Sequence, residues 1–411
     1  MRNTRLPFVL FSTLILTSTC LAADWPQWRG PNRDGKAPGF TPPATWPQQL
    51  TARWQLKIGS SDATPAVVGD RVYVFARQEA EEVLSCIDAA TGKVLWQDKF
   101  APGVTVGGPA AGHPGPRSSP AVAEGKVVTL GVSAVVSCID ANTGKLLWRK
   151  ETAKDYPSGW PRFNTACSPL IAEGLAIVQL GGQGKGAVVA YDLATGEPRW
   201  KADTDGTTYS SPVLATIGGV KQVIAQNDRS LIGVALADGK VLWQFATPVA
   251  GRAYNAPTPI VDGNTIFQTG GGAGTRAIAI EKTGDTFAAK ELWSNPQANT
   301  MFNTPILKDG MIIGLTDRNN FFCLDARTGK TLWTDTKPRG QRGFGSIVDA
   351  GPLLLALTNT GELIAFKAGQ EAVAEVAAIK VSDAQVYAHP VVAGNRLFIE
   401  DQGTIAAYLL E

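Results

Sequence analysis

The chain has 411 residues, 18% of them charged, with 44 glycines, 26 prolines and a formal net charge of +2. That is too little charge for long solvated helices. It is also too near neutrality for a nucleic-acid binder, which needs a cation surplus against phosphate. Many short strands punctuated by Gly and Pro fit the composition better.

In chain order, the first segment reads as an export signal. Arg2 and Arg5 precede an apolar run from Leu6 to Leu16, and Cys20, Leu21, Ala22 and Ala23 carry small residues at the spacing a signal peptidase reads. The run is too short to span a bilayer, and no later run is long enough. Residues 1–23 are expected to be removed, leaving 36 basic against 36 acidic residues and a periplasmic or extracellular protein. Lipid attachment at Cys20 is not expected, because Thr17, Ser18 and Thr19 place a Thr where a smaller residue is usual. Residues 24–50, with Trp25, Trp28 and Trp46, read as a strap packed on the domain formed by residues 51–411.

That domain is a repeat array. Residues 86–96, 138–148, 190–200 and 323–333 align without gaps: an apolar strand, Asp, two residues, Thr-Gly, and a returning strand ending in Trp. Asp88, Asp140, Asp192 and Asp325 can accept backbone amides while the glycine supplies a positive φ, so each copy is a hairpin. Residues 234–243 are a shorter copy, and a longer one ends at Leu292 and Trp293. Before each hairpin comes Ser/Thr-Pro (His-Pro in the last copy), a strand, a Gly-centred turn and another strand. These elements start at Pro65, Pro120, Pro169, Pro212, Pro259 and Pro305, in degenerate form near Ser346, and at Pro390. Eight four-stranded antiparallel units make an all-β, eight-bladed β-propeller. The last unit is one strand short, and residues 51–58 around Trp54 supply the missing strand, which removes an open sheet edge. Trp54, Trp96, Trp148, Trp200, Trp243, Trp293 and Trp333 recur as packing residues between blades, while blade seven lacks Trp and uses residues 374–381 instead. Cys86, Cys138 and Cys323 sit at equivalent positions of separate blades, too far apart to bridge, and Cys167 has no evident partner, so no disulfide is expected.

The Asp-x-x-Thr-Gly-x-x-x-Trp repeat resembles the tryptophan-docking motif of the pyrroloquinoline-quinone (PQQ) dehydrogenase propellers, which also have eight blades, and the resemblance spans residues 51–411. The opening from Asp24 to Gly35 is similar to the start of many secreted PQQ-like repeat proteins. The same repeat occurs in BamB, the non-enzymatic scaffold of the outer-membrane β-barrel assembly machinery. The resemblance therefore implies the fold and leaves the function divided. The dehydrogenases set two adjacent cysteines against the cofactor and surround calcium with acidic and amide residues. This sequence has no Cys-Cys pair and no segment matching those acidic motifs. No cofactor or metal is expected, with PQQ and calcium as the alternative. His113 and His389 are the only histidines, without zinc spacing. The Gly-rich runs at 181–186 and 270–274 open no helix and read as hairpin loops, not phosphate cradles.

One constellation remains. The loops before the inner strands should meet on one face, around the central funnel. They carry Arg117, Trp160, Arg162, Asn164, Tyr209, Arg252, Tyr254, Asn255, Phe302, Asn303, Arg342, Tyr387 and His389. Flat apolar groups beside cations and amides suit a peptide or a glycan. No recurrent carboxylate offers a general base. The expectation is a monomeric, non-catalytic binding or scaffold propeller, with a quinoprotein dehydrogenase or an outer-membrane assembly factor as alternatives.

Overall fold

The computed structural model describes residues 24–103, 106–156, 161–251 and 253–411. The leader, Cys20, Trp160 and Arg252 lie outside the described residues.

The chain forms an eight-bladed β-propeller of four-stranded antiparallel blades. Blade one shows the pattern: Ala66–Val68, Arg71–Gln78, Glu81–Asp88 and Val94–Phe100 run from the axis outward. In blade three one continuous element, Leu175–Asp192, covers the two middle strands. It doubles back on glycine: Gly181 has φ +104°, and a Cβ there would meet the Lys185 carbonyl oxygen at 2.5 Å. Gly270 to Gly274 likewise join the strands Thr265–Thr269 and Thr275–Thr283. Blade seven opens with Gly345–Ala350 and ends with Val373–Lys380, where the other blades place Trp.

Closure is as expected, with the strand around Trp54 outermost in blade eight. Trp54–Lys57 pairs antiparallel with the last strand, Trp54 opposite Ala407 and Lys57 opposite Thr404. The repeat also explains itself physically. The Trp54 ring lies on Gly92 of the next blade, where a Cβ would come within 2.7 Å of it, and its Nε1 donates to the Ala89 carbonyl at 2.9 Å. Trp148 stands in the same way over Gly196 and Leu193, and Trp200 over Gly239 and Leu236. The turn glycine is thus needed both for its positive φ and to admit the preceding blade's indole. Trp243 departs, donating to Gln222 Oε1 of its own blade. In the turn itself, Asp88 Oδ1 accepts the Thr91 N–H at 2.8 Å and the Thr91 hydroxyl at 2.7 Å. Cys86, Cys138, Cys167 and Cys323 are free and buried.

The Ser/Thr-Pro dipeptides form a ring that the repeat alone did not reveal. Each Ser or Thr hydroxyl accepts the equivalent backbone N–H of the preceding blade: Thr64 to Ser119 at 3.0 Å, Ser119 to Ser168 at 3.0 Å, Ser168 to Ser211 at 2.9 Å, and Thr258 to Thr304 at 2.9 Å. His389 extends this chain of bonds from the other end by donating its N–H to Thr64 Oγ1 at 2.9 Å.

Beyond this ring the segment from Asp24 onward crosses the axis. Trp25 and Val67 exchange backbone hydrogen bonds, the Pro26 carbonyl accepts from Val122, and Ala37 donates to Asp349. The Trp28 Nε1 donates to Thr258 Oγ1 at 2.9 Å, and its ring meets His389 edge-on at 4.5 Å. Arg29 donates to the Thr304 carbonyl at 3.0 Å and the Pro305 carbonyl at 2.9 Å. Arg33 donates to the carbonyls of Ser168, Pro169 and Pro212 and to Gln27 Oε1. This stretch therefore touches all eight blades. Further along, Phe40, Trp46 and Leu50 join the core shared by blades one, seven and eight.

Candidate functional site

The opposite mouth of the axis is built by the loops that precede the inner strands. Consecutive loops each place one ring against the next. Phe163 lies 6.1 Å from Tyr209 and 6.0 Å from Tyr254, and Tyr209 lies 5.4 Å from Tyr254. Tyr254 continues to Phe302 at 6.4 Å, and Phe302 stacks on Phe344 at 4.2 Å. Phe344 meets Tyr387 at 4.8 Å, and Tyr387 meets His113 at 5.0 Å. The rings of blades three to eight, with His113 from the loop leading into blade two, thus form one continuous aromatic floor. Every member is half-buried. The Tyr209 hydroxyl accepts the Phe163 N–H at 3.1 Å, and burial pushes its phenol up to about 12. Burial raises Tyr387 as well, so both stay neutral near pH 7.

Three described arginines border this floor. Arg162 and Arg342 are exposed, and the Arg162 guanidinium lies 5.8 Å from the Phe163 ring. Arg117 is half-buried, donates through Nη2 to the His113 carbonyl at 2.7 Å, and has Nη1 buried without a partner. Burial lowers its pKa, with the Asp62, Tyr209 and Glu82 side chains near enough to oppose that shift. Among the described residues none of the three has an ion-pair partner.

Three expected site residues are used elsewhere. Asn255 is 1% exposed and spends its amide on the Asp228 and Thr247 carbonyls. Asn303 is 2% exposed and brackets Leu315, accepting its N–H and donating to its carbonyl. Both hold loops in place and offer a ligand nothing. His389 is 3% exposed, packed against Trp28 in the hydroxyl ring, with burial holding it well below the usual histidine range. It belongs to the strap side of the axis. Asn164 is half-buried at φ 66°, a left-handed position that Asn tolerates.

Sequence reasoning missed Asp62 and Gln402. The Asp62 carboxylate lies 2.7 Å from His113 Nδ1, and Gln402 Nε2 lies 3.0 Å from the same nitrogen. Asp62 also donates its N–H to the Pro116 carbonyl at 2.9 Å. Together they pin the long loop before blade two to blades one and eight. A lone Asp two residues before Thr64 repeats nowhere, so periodicity could not flag it. Behind them Glu82 is fully buried. Its Oε1 accepts the Val132 N–H at 3.0 Å, its Oε2 has no partner, and burial raises it to about 7.

The residues gathered here do not fit a calcium-held quinone. Among the described residues no three of His, Cys, Asp or Glu converge as a metal cage, and the charged groups facing the floor are mainly cations. Nor is any described helix long and apolar enough to cross a membrane.

Fold and repeat together define a PQQ-like β-propeller. The family described as "Outer membrane protein assembly factor BamB" matches residues 79–335, and the chain belongs to that family. It is 26% identical over 364 residues to the outer membrane protein assembly factor BamB of Burkholderia pseudomallei, covering 85% of each chain. Among solved structures it is similar to BamB from Moraxella catarrhalis, with a TM-score of 0.61 at 17% identity over 88% of this chain and 99% of that one. It is similar also to the quinohemoprotein alcohol dehydrogenase from Comamonas testosteroni, with a TM-score of 0.71 at 14% identity over 94% of this chain and 80% of that one. At such identities the structural likenesses carry the fold alone.

Proposed function

We propose that this chain is a non-catalytic scaffold propeller that works in the periplasm at the outer membrane, holding a protein segment on its funnel face during outer-membrane protein assembly. The observation that carries this reading is the aromatic floor with its unpaired arginines: a broad face shared by seven blades, with neutral phenols. A sequence match extending over most of both chains to an outer membrane protein assembly factor points the same way. The dehydrogenase likeness supports only the shared fold, and the donor set around the floor opposes calcium. The Asp62–His113 pair has the form of a general base, but its carboxylate and Nδ1 are engaged in holding the loop.

The test is direct. The mature chain, expressed in the periplasm, should co-purify with β-barrel assembly components from an envelope extract. Incubation with PQQ and calcium should give neither retained absorbance nor dye-linked alcohol oxidation. Stoichiometric PQQ with turnover would overturn the reading in favour of a quinoprotein.

A further inference from the structure

We propose that the ligand of the funnel is an extended acidic peptide segment carrying aromatic side chains, its carboxylates on Arg117, Arg162 and Arg342 and its rings on the aromatic floor. This deepens the scaffold reading and rests on it.

Several arginines elsewhere have carboxylate partners, among them Arg276 with Glu291 at 3.5 Å, Arg339 with Asp335 at 3.1 Å, and Arg149 with Asp98, while Arg29, Arg33 and Arg71 spend their donors on main-chain carbonyls. The three at the funnel have no carboxylate partner among the described residues. Carboxylates of the surrounding loops are already engaged. Asp62 holds His113, Asp317 accepts the Asn299 amide at 2.9 Å, and Asp401 accepts the Ser382 hydroxyl at 2.7 Å and the Thr404 N–H at 2.7 Å. Among the described residues the face therefore offers guanidinium donors, while the nearby carboxylates are held by other groups. Arg117 adds a buried Nη1 with no partner among the described residues.

The floor narrows the class. Six aromatic side chains and one imidazole, each half-buried, present ring edges and faces to which aromatic side chains pack edge-on or offset. A neutral glycan would need amide and carboxylate partners for its hydroxyls, but Asn255 and Asn303 are committed to the backbone. Rings spread over blades three to eight suit a chain laid across the funnel better than a compact anion in one pocket.

The experiment uses the full mature protein and fluorescence anisotropy. The probe is a labelled synthetic peptide alternating Glu and Phe. Controls are a Lys/Phe peptide, a Glu/Ser peptide and maltoheptaose. The Glu/Phe probe should bind, weaken at least about tenfold between low and high salt, and bind at least about tenfold better than either peptide control. The variant Arg162→Gln/Arg342→Gln, both at exposed positions, should keep the wild-type melting temperature and lose about tenfold in affinity. Equal binding of the Lys/Phe peptide, salt-independent binding, an unaffected double variant, or preference for maltoheptaose would each overturn the proposal. If the double variant loses the probe yet still co-purifies with assembly components, the peptide site stands and the scaffold contacts lie elsewhere. If co-purification fails in wild type while the probe binds, the assembly reading falls and the peptide site survives.

Discussion

The two mouths of the propeller axis use the same residue type in opposite ways. At the strap mouth Arg29 and Arg33 are 0% and 3% exposed, and desolvation lowers them to about 10 and about 9. Among the described residues neither has a carboxylate partner. Their donors go to main-chain carbonyls of blades three, four and six and to the strap itself. A buried charge is tolerable only when oriented dipoles replace its water, and the inner strands, which have no neighbour on the axial side, supply them. At the funnel mouth Arg117, Arg162 and Arg342 border half-buried rings. One mouth is satisfied from within the chain, and at the other the arginines have no ion-pair partner among the described residues. An arginine's role is thus read from how many of its donors the fold itself consumes.

The sharpest way to break this comparison is Arg33→Met. It should cost about 3–5 kcal/mol in urea unfolding, because carbonyls from two blades and Gln27 lose their donor inside a sealed axis. A loss under about 1 kcal/mol would show that the strap arginines are incidental.

Next in size is Glu82→Gln, behind the funnel loops where blades one and two meet. The folded carboxyl keeps its proton up to about 7, whereas its ordinary value is 4.5. The folded state thus binds more protons across that window, and stability falls as pH rises from about 4.5 to about 7, then levels off. The slope approaches about 1.4 kcal/mol per pH unit. Glu400, fully buried and also raised, acts in the same direction. Glu82→Gln should flatten the melting-temperature profile between pH 5 and 8 and raise stability at pH 8. An unchanged slope would assign it to Glu400.

Trp28→Phe keeps a ring against His389 and removes the bond to Thr258, for an expected loss of about 1 kcal/mol by the same unfolding assay. The smallest effect belongs to Arg162→Gln and Arg342→Gln, within about 0.5 kcal/mol each, since exposed changes away from a network cost little. If either destabilises as much as Arg33→Met, the contrast between the mouths disappears.

Blade count, hairpin turns and the closing strand were legible because each is written locally and repeated. Asp88 reaches Thr91, three residues away, and Gly92 faces an indole that recurs in register. Closure through Trp54 followed from counting strands. The aromatic floor was legible in outline, since equivalent loop positions in a ring must converge. Its membership was not. Asn255, Asn303 and His389 occupy the same loops as Tyr254, Phe302 and Tyr387, and only packing decides which side chain turns inward.

The sequence by itself determined a closed eight-bladed array, since periodic strands, turn glycines and tryptophans each satisfy near neighbours. Only the tertiary structure decided what happens on the axis. Arg29 meets Thr304 across 275 residues, Arg33 meets Pro212 across 179, and Asp62 meets Gln402 across 340. No spacing encodes such partners, because they become neighbours only when the ring shuts and the inner strands bring their unpaired carbonyls and loops to a common centre.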